Sequence, residues 1–126
     1  MKASDIMTTQ VTTVTLDASI LEAARLMLQN RISGLPVVDS HGAYCGTVTS
    51  CAVADELADG DHKQDSVRTV VEQPPAVVTT ESLATGIEAL DRSGGSAVPV
   101  LDPEHGHVAG WLTHQAALEA LRPAGT

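Results

Sequence analysis

Two rhythms of apolar residues alternate along the chain. Ile20, Ala24 and Met27, with Leu21 and Leu28 beside them, recur at helical spacing, and Ser19-x-x-Glu22 has the form of a capping box, so a helix is predicted to start after that serine. Ahead of it, Val11 to Leu16 is rich in valine and threonine and predicts an extended lead-in. Behind it, Leu35 to Val38 reads as a short strand. Its Pro36 cannot donate a ladder hydrogen bond and is expected at a sheet edge or a strand start. Ser40-His41-Gly42 reads as a turn, Tyr44 to Thr49 as another strand, and a short helix closes the segment.

The same order then returns. Gly34-Leu35-Pro36-Val37-Val38-Asp39 aligns with Ala97-Val98-Pro99-Val100-Leu101-Asp102 at an offset of 63, and Ile20, Ala24 and Met27 fall on Leu83, Ile87 and Leu90. Beyond the turn the offset is 64, with Gly46-Thr47-Val48-Thr49 on Gly110-Trp111-Leu112-Thr113 and Leu57 on Leu121. Ala76 to Thr80 is the second lead-in, Pro103-Glu104-His105-Gly106 the second turn and Val108 to Thr113 the second strand beyond it. Solenoid units run about 20 to 50 residues, so this longer period marks a duplicated small domain and implies a pseudo-twofold pair. The expected organisation is α/β (α+β), two strand-helix-strand-strand-helix units over residues 1–58 and 67–122, a polar linker at 59–66 and a tail at 123–126. Gly86 stands where the first copy has Ala23. That costs up to about 1 kcal/mol of helix propensity and predicts either a close contact or a weaker helix.

The 126 residues are 43% hydrophobic, with no Phe, one Trp and one Tyr, so the core must be aliphatic. Sixteen acidic against seven basic side chains give a net charge of −9. That sign opposes the counterion-release attraction of nucleic acids and makes nucleic acid and anionic membrane poor partners. Without a signal-peptide pattern or an apolar run of bilayer length, the chain is expected to be soluble and cytoplasmic. Cys45 and Cys51, on a strand running into a helix, are too far apart for one disulfide and read as two packed free thiols, which suits a reducing compartment.

Nucleophile-elbow and phosphate-loop motifs and a placed carboxylate pair are all missing from the sequence, so catalysis is not expected. His105 and His107 form a His-x-His in a turn without further ligands at suitable spacing, and they read as solvated loop residues rather than a metal site.

Taken together, Asp5-Ile6-Met7-Thr8, Val14-Thr15-Leu16-Asp17-Ala18-Ser19-Ile20-Leu21-Glu22-Ala23, Ile32-Ser33-Gly34-Leu35-Pro36-Val37-Val38-Asp39 and Gly46-Thr47-Val48-Thr49 resemble a repeat of the cystathionine beta-synthase (CBS) domain. That family is usually found as a tandem pair, the Bateman module. Gly110-Trp111-Leu112-Thr113-His114 also resembles the second CBS repeat of bacterial chloride-channel-type transporters. The resemblance implies two pseudo-twofold-related β-α-β-β-α repeats packed through their sheets, a homodimer and a regulatory role. An adenosine-type ligand (AMP, ADP, ATP or S-adenosylmethionine) would occupy an inter-repeat cleft and control a partner enzyme, channel or transporter. Adenine would meet backbone groups beside Leu35 and Pro36 or Val98 and Pro99, near Thr13 and Val14 or Ala76 and Val77. Ribose and phosphates would face the strand-to-helix turns at Thr49 and Thr113, where His114 is the one side chain able to carry positive charge.

The sequence departs from the family at one telling position. Nucleotide-binding repeats usually read Thr-x-x-Asp, the aspartate holding the ribose hydroxyls, whereas this chain has Ala52 and Ala116 there. A hydrogen bond to a carboxylate is worth about 1.5–3 kcal/mol, so its loss weakens ribose recognition roughly ten- to hundredfold. A second expectation follows, a ligand-free dimerisation or assembly module. Thr49 and Thr113 equally suit hydroxyls that cap the next helix. Cys51 reads as a small packed residue rather than a thiol sensor, and Trp111 as a packed aromatic rather than a base-stacking one.

Overall fold

A computed structural model describes residues 1–73, 75–93 and 97–121. Its elements are α1 (Ala3–Ile6), β1 (Val14–Thr15), α2 (Ile20–Asn30), β2 (Gly34–Val38), β3 (Tyr44–Thr49), α3 (Ser50–Ala58), a 3-10 turn (Val67–Thr69), β4 (Val77–Val78), α4 (Leu83–Arg92), β5 (Ala97–Leu101), β6 (Val108–Thr113) and α5 (His114–Leu121). They form two units, and neither has the bounds of an expected repeat. One spans Thr12–Gln73, and the other joins Met1–Val11 to the described residues beyond position 74.

In the Thr12–Gln73 unit the sheet order is β1-β2-β3, with β1 parallel and β3 antiparallel to the central strand. Ser19 caps α2, its Oγ accepting from Glu22 N–H at 3.0 Å, and the helix ends where Arg31 turns left-handed at φ 54°. The helix lays Ile20, Ala23 and Met27 on Val14, Leu35, Val37 and Val48 of the sheet, while Val53 of α3 and Val67 complete an aliphatic core. Pro36 sits within the middle strand rather than at an edge or a start, at a point that β1 does not reach. β1 pairs only with Val37 and Val38, so at Pro36 the strand has one neighbour, Thr47.

The other unit repeats the design in β4-β5-β6. Ser82 caps α4, and Val77, Leu83, Leu90, Val98, Val100 and Leu112 form the core together with Ala3 of α1. Pro99 likewise pairs with Trp111 alone, because β4 reaches only Val100 and Leu101. Gly86 marks a close contact: a Cβ there would lie 2.4 Å from Leu112 Cδ2.

Several expectations are corrected. The lead-ins pair as strands only at Val14–Thr15 and Val77–Val78, because each meets just the last part of its neighbour. Residues 59–66 are not a free linker, since Asp65 and Lys63 carbonyls accept from Ile20 and Leu21 N–H at 2.9 and 3.0 Å. Those are first-turn helix donors with no partner inside the helix. Residues 1–11 pack not with the rest of the repeat they begin but with the other, where Met1 carbonyl accepts from Leu83 N–H at 2.9 Å and Ala3 N–H donates to Glu81 carbonyl at 2.8 Å. A short segment's own apolar pattern does not say which unit it will complete. The expected tail at 123–126 lies outside the described residues.

Candidate functional site

Each third strand runs directly into a helix, and a threonine stands at the junction. Thr49 is the N-cap of α3: its Oγ1 accepts from Ala52 N–H at 3.2 Å. Ser50 N–H donates to Ser33 carbonyl at 2.8 Å, tying the turn to the approach of β2. In the other unit Thr113 Oγ1 accepts from Ala116 N–H at 3.1 Å. Both hydroxyls cap a helix through oxygen and keep an O–H to donate, at a helix end where backbone N–H groups favour anions.

The residues named from the sequence fall into two sets, one per unit. Thr49 pairs with Gly34 beside Leu35, and Val14 pairs with Val37, which places Val14, Leu35, Pro36 and Thr49 on one sheet with Thr13 next to its first strand. Ala76, Val77, Val98, Pro99, Thr113 and His114 lie on or beside the other. Val14, Leu35, Pro36, Val77, Val98 and Pro99 are buried, so their side chains build the core and any ligand would meet their strands through backbone groups. Thr13 and Ala76 are exposed just ahead of β1 and β4. Ala52 and Ala116 are half-buried, and Asp55 is exposed farther along α3.

His114 Nε2 lies 3.1 Å from Asp91 Oδ1 on α4, so the imidazole at that turn already faces a carboxylate. Sequence reading did not find Asp91, because nothing in the local pattern joins positions that only the packing of α4 beside α5 brings together. Ser33 was missed as a tether for the same reason, since its contribution is a main-chain carbonyl.

Cys51 is exposed at the start of α3 rather than packed, because Val53 is the α3 residue that turns into the core. Cys45 is half-buried, and burial pushes its thiol upward with the Asp39 charge adding to the effect, while Arg68 opposes them. Trp111 is buried and its main chain pairs with Thr8. His105 and His107 are exposed with ring centroids 5.6 Å apart. Asp102 organises their turn by accepting from the main-chain N–H groups of His105, His107 and Glu104, which holds its carboxyl below the usual range despite some desolvation.

Among the described residues no helix is long and apolar enough to cross a membrane. The CBS domain family model matches residues 3–59. A homoserine O-acetyltransferase of Methanocorpusculum labreanum is 34% identical over 115 residues, which is 91% of this chain but 23% of that protein. The chain therefore spans about a quarter of the length of such relatives, and the matched part is a CBS region. The CBS domain pair of protein MJ0100, solved in complex with 5'-methylthioadenosine and S-adenosyl-L-methionine, is 25% identical with a TM-score of 0.80, covering 95% of this chain and 94% of that one. CBSX2 in complex with AMP, at 22% identity and TM-score 0.81 over 94% of each chain, shares the fold. The duplicated β-α-β-β-α plan, the match of residues 3–59 and the structural likeness agree: the chain has the fold of a tandem CBS domain pair, and its first half is similar to the CBS domain family.

Proposed function

We propose that this pair takes an adenosine-type ligand (AMP, ADP, ATP or S-adenosylmethionine) at its strand-to-helix turns and through its occupancy controls a partner enzyme, channel or transporter. The observation that carries this reading is the pair of capping threonines, each with a hydroxyl donor left beside a helix N-terminus. The ligands held by the MJ0100 pair support an adenosine compound. The homoserine O-acetyltransferases, longer proteins matched through a CBS region, support an enzyme as the regulated partner. Control requires the ligand to bind two arrangements of the module with different affinity, since a ligand indifferent to the two shifts nothing. The module works as a cytoplasmic homodimer in this reading.

Thermal shift with AMP, ADP, ATP, S-adenosylmethionine and adenosine, followed by calorimetry, tests it. Ligand at a hundred times its dissociation constant adds about 2.7 kcal/mol, a rise of several degrees for a domain of this size. Thr49→Val and Thr113→Val are expected to abolish the rise. Flat curves at millimolar ligand would overturn the reading in favour of a ligand-free assembly module, which Ala52 and Ala116 favour.

A further inference from the structure

Glu56 and Asp59 stand at the end of α3, Asp65 lies in the following turn, and His62 sits among them. His62 Nδ1 is 2.8 Å from Asp65 Oδ2 and 3.7 Å from Glu56 Oε2, while Nε2 is 3.6 Å from Asp59 Oδ2. The carboxylates gather at the C-terminal, negative end of the helix dipole, where a cation is favoured and further anions are not. Among the described residues His62 alone pairs with these three as a basic group, and no charged group of α2 acts on its imidazole.

The segment that His62 anchors closes the unit. Lys63 and Asp65 carbonyls take the first N–H groups of α2, Ser66 Oγ donates to Leu16 carbonyl, and Val67, fully buried, donates from its N–H to Ala18 carbonyl at 2.8 Å. Farther on, Glu72 and Thr47 exchange main-chain hydrogen bonds of 2.9 and 2.7 Å on the edge of β3. We infer that residues 62–72 are a strap across the start of α2 to the β3 edge, clamped at its first residue when His62 is an imidazolium and loosened when it is neutral. Proton concentration is thus an input to this unit that does not depend on whether Thr49 takes a ligand.

The direction follows from the surroundings. The hydrogen bond to Asp65 raises the His62 pKa above its ordinary 6.5; desolvation opposes it, and the charges of Glu56, Asp65 and Asp59 reinforce it. A raised folded value means that the clamp is fully present below about 6.5 and is lost as pH rises through that raised value.

Residue-resolved amide hydrogen exchange on the full chain between about pH 5.5 and about pH 8, with the His62 ring followed by NMR, tests the strap. After correction for base catalysis, protection at Ile20, Leu21 and Val67 is expected to fall several-fold along the His62 titration, with Val37 and Val48 unchanged. His62→Gln should remove the step, and His62→Lys should keep protection high at the alkaline end. A step that survives in H62Q, protection in H62K that falls as in the native chain, or protection that does not follow the His62 ring overturns the inference.

Discussion

Thr8 and Trp111 exchange both main-chain hydrogen bonds, 2.8 Å from Thr8 N–H and 2.9 Å from Trp111 N–H, so a residue from the leading segment of the first repeat closes the outer edge of β6. One period on, Glu72 and Thr47 do the same for β3. Ala3 and Val67, 64 positions apart, are both fully buried behind these edges. The repeats have exchanged their leading segments, and each exchange covers an edge that would otherwise offer unpaired backbone groups.

The natural fragment boundaries therefore differ from the repeat boundaries. Residues 12–73 contain every partner of their sheet and are expected to give a dispersed NMR spectrum and a cooperative melt. Residues 1–58 lack the acceptors of Ile20 and Leu21, the Glu72 partner of Thr47 and the buried Val67, and are expected to stay unfolded. Equal folding of both fragments would refute the exchange.

Gly110 is small because the exchanged segment passes over it. A Cβ there would lie 2.5 Å from Thr8 carbonyl oxygen and 2.9 Å from Met7 Sδ, and main chain yields less readily than a flexible side-chain tip. Gly110→Ala is expected to cost about 1–3 kcal/mol, read as a fall of several degrees in Tm. Gly34→Ala, whose Cβ would meet Thr47 Cγ2 at an ordinary 3.5 Å, should change Tm far less. Similar losses for the two would contradict the close approach.

Restoring the family carboxylate should strengthen ligand binding. Ala52 and Ala116 donate their N–H groups to the capping threonines, so an aspartate at either place lies in the first turn of its helix, where a negative charge is tolerated. Ala52→Asp and Ala116→Asp are expected to tighten adenosine-ligand binding about ten- to hundredfold, corresponding to about 1.5–3 kcal/mol, by calorimetry. Unchanged affinity in both variants would show that ribose is not read at these turns.

Much of the architecture is written locally. The spacing of Ile20, Ala24 and Met27, the serine caps and the recurrence of Leu35-Pro36-Val37 as Val98-Pro99-Val100 each depend on residues close in sequence, and they suffice for the order of elements and the duplication. The capping role of Thr49 and Thr113 was legible as well, because a cap is made with an N–H three residues on.

What the tertiary structure alone decided is which distant groups meet. Glu72 on Thr47, Thr8 on Trp111 and Asp91 on His114 leave no local mark, since a main-chain pairing or a surface ion pair needs no particular neighbours in sequence. The polar run at 59–66 looks like a linker because its work is done by Lys63 and Asp65 carbonyls, which every residue possesses. Sequence by itself determined the repeat and its elements through side-chain periodicity; folding decided, through backbone hydrogen bonding, which repeat each leading segment completes.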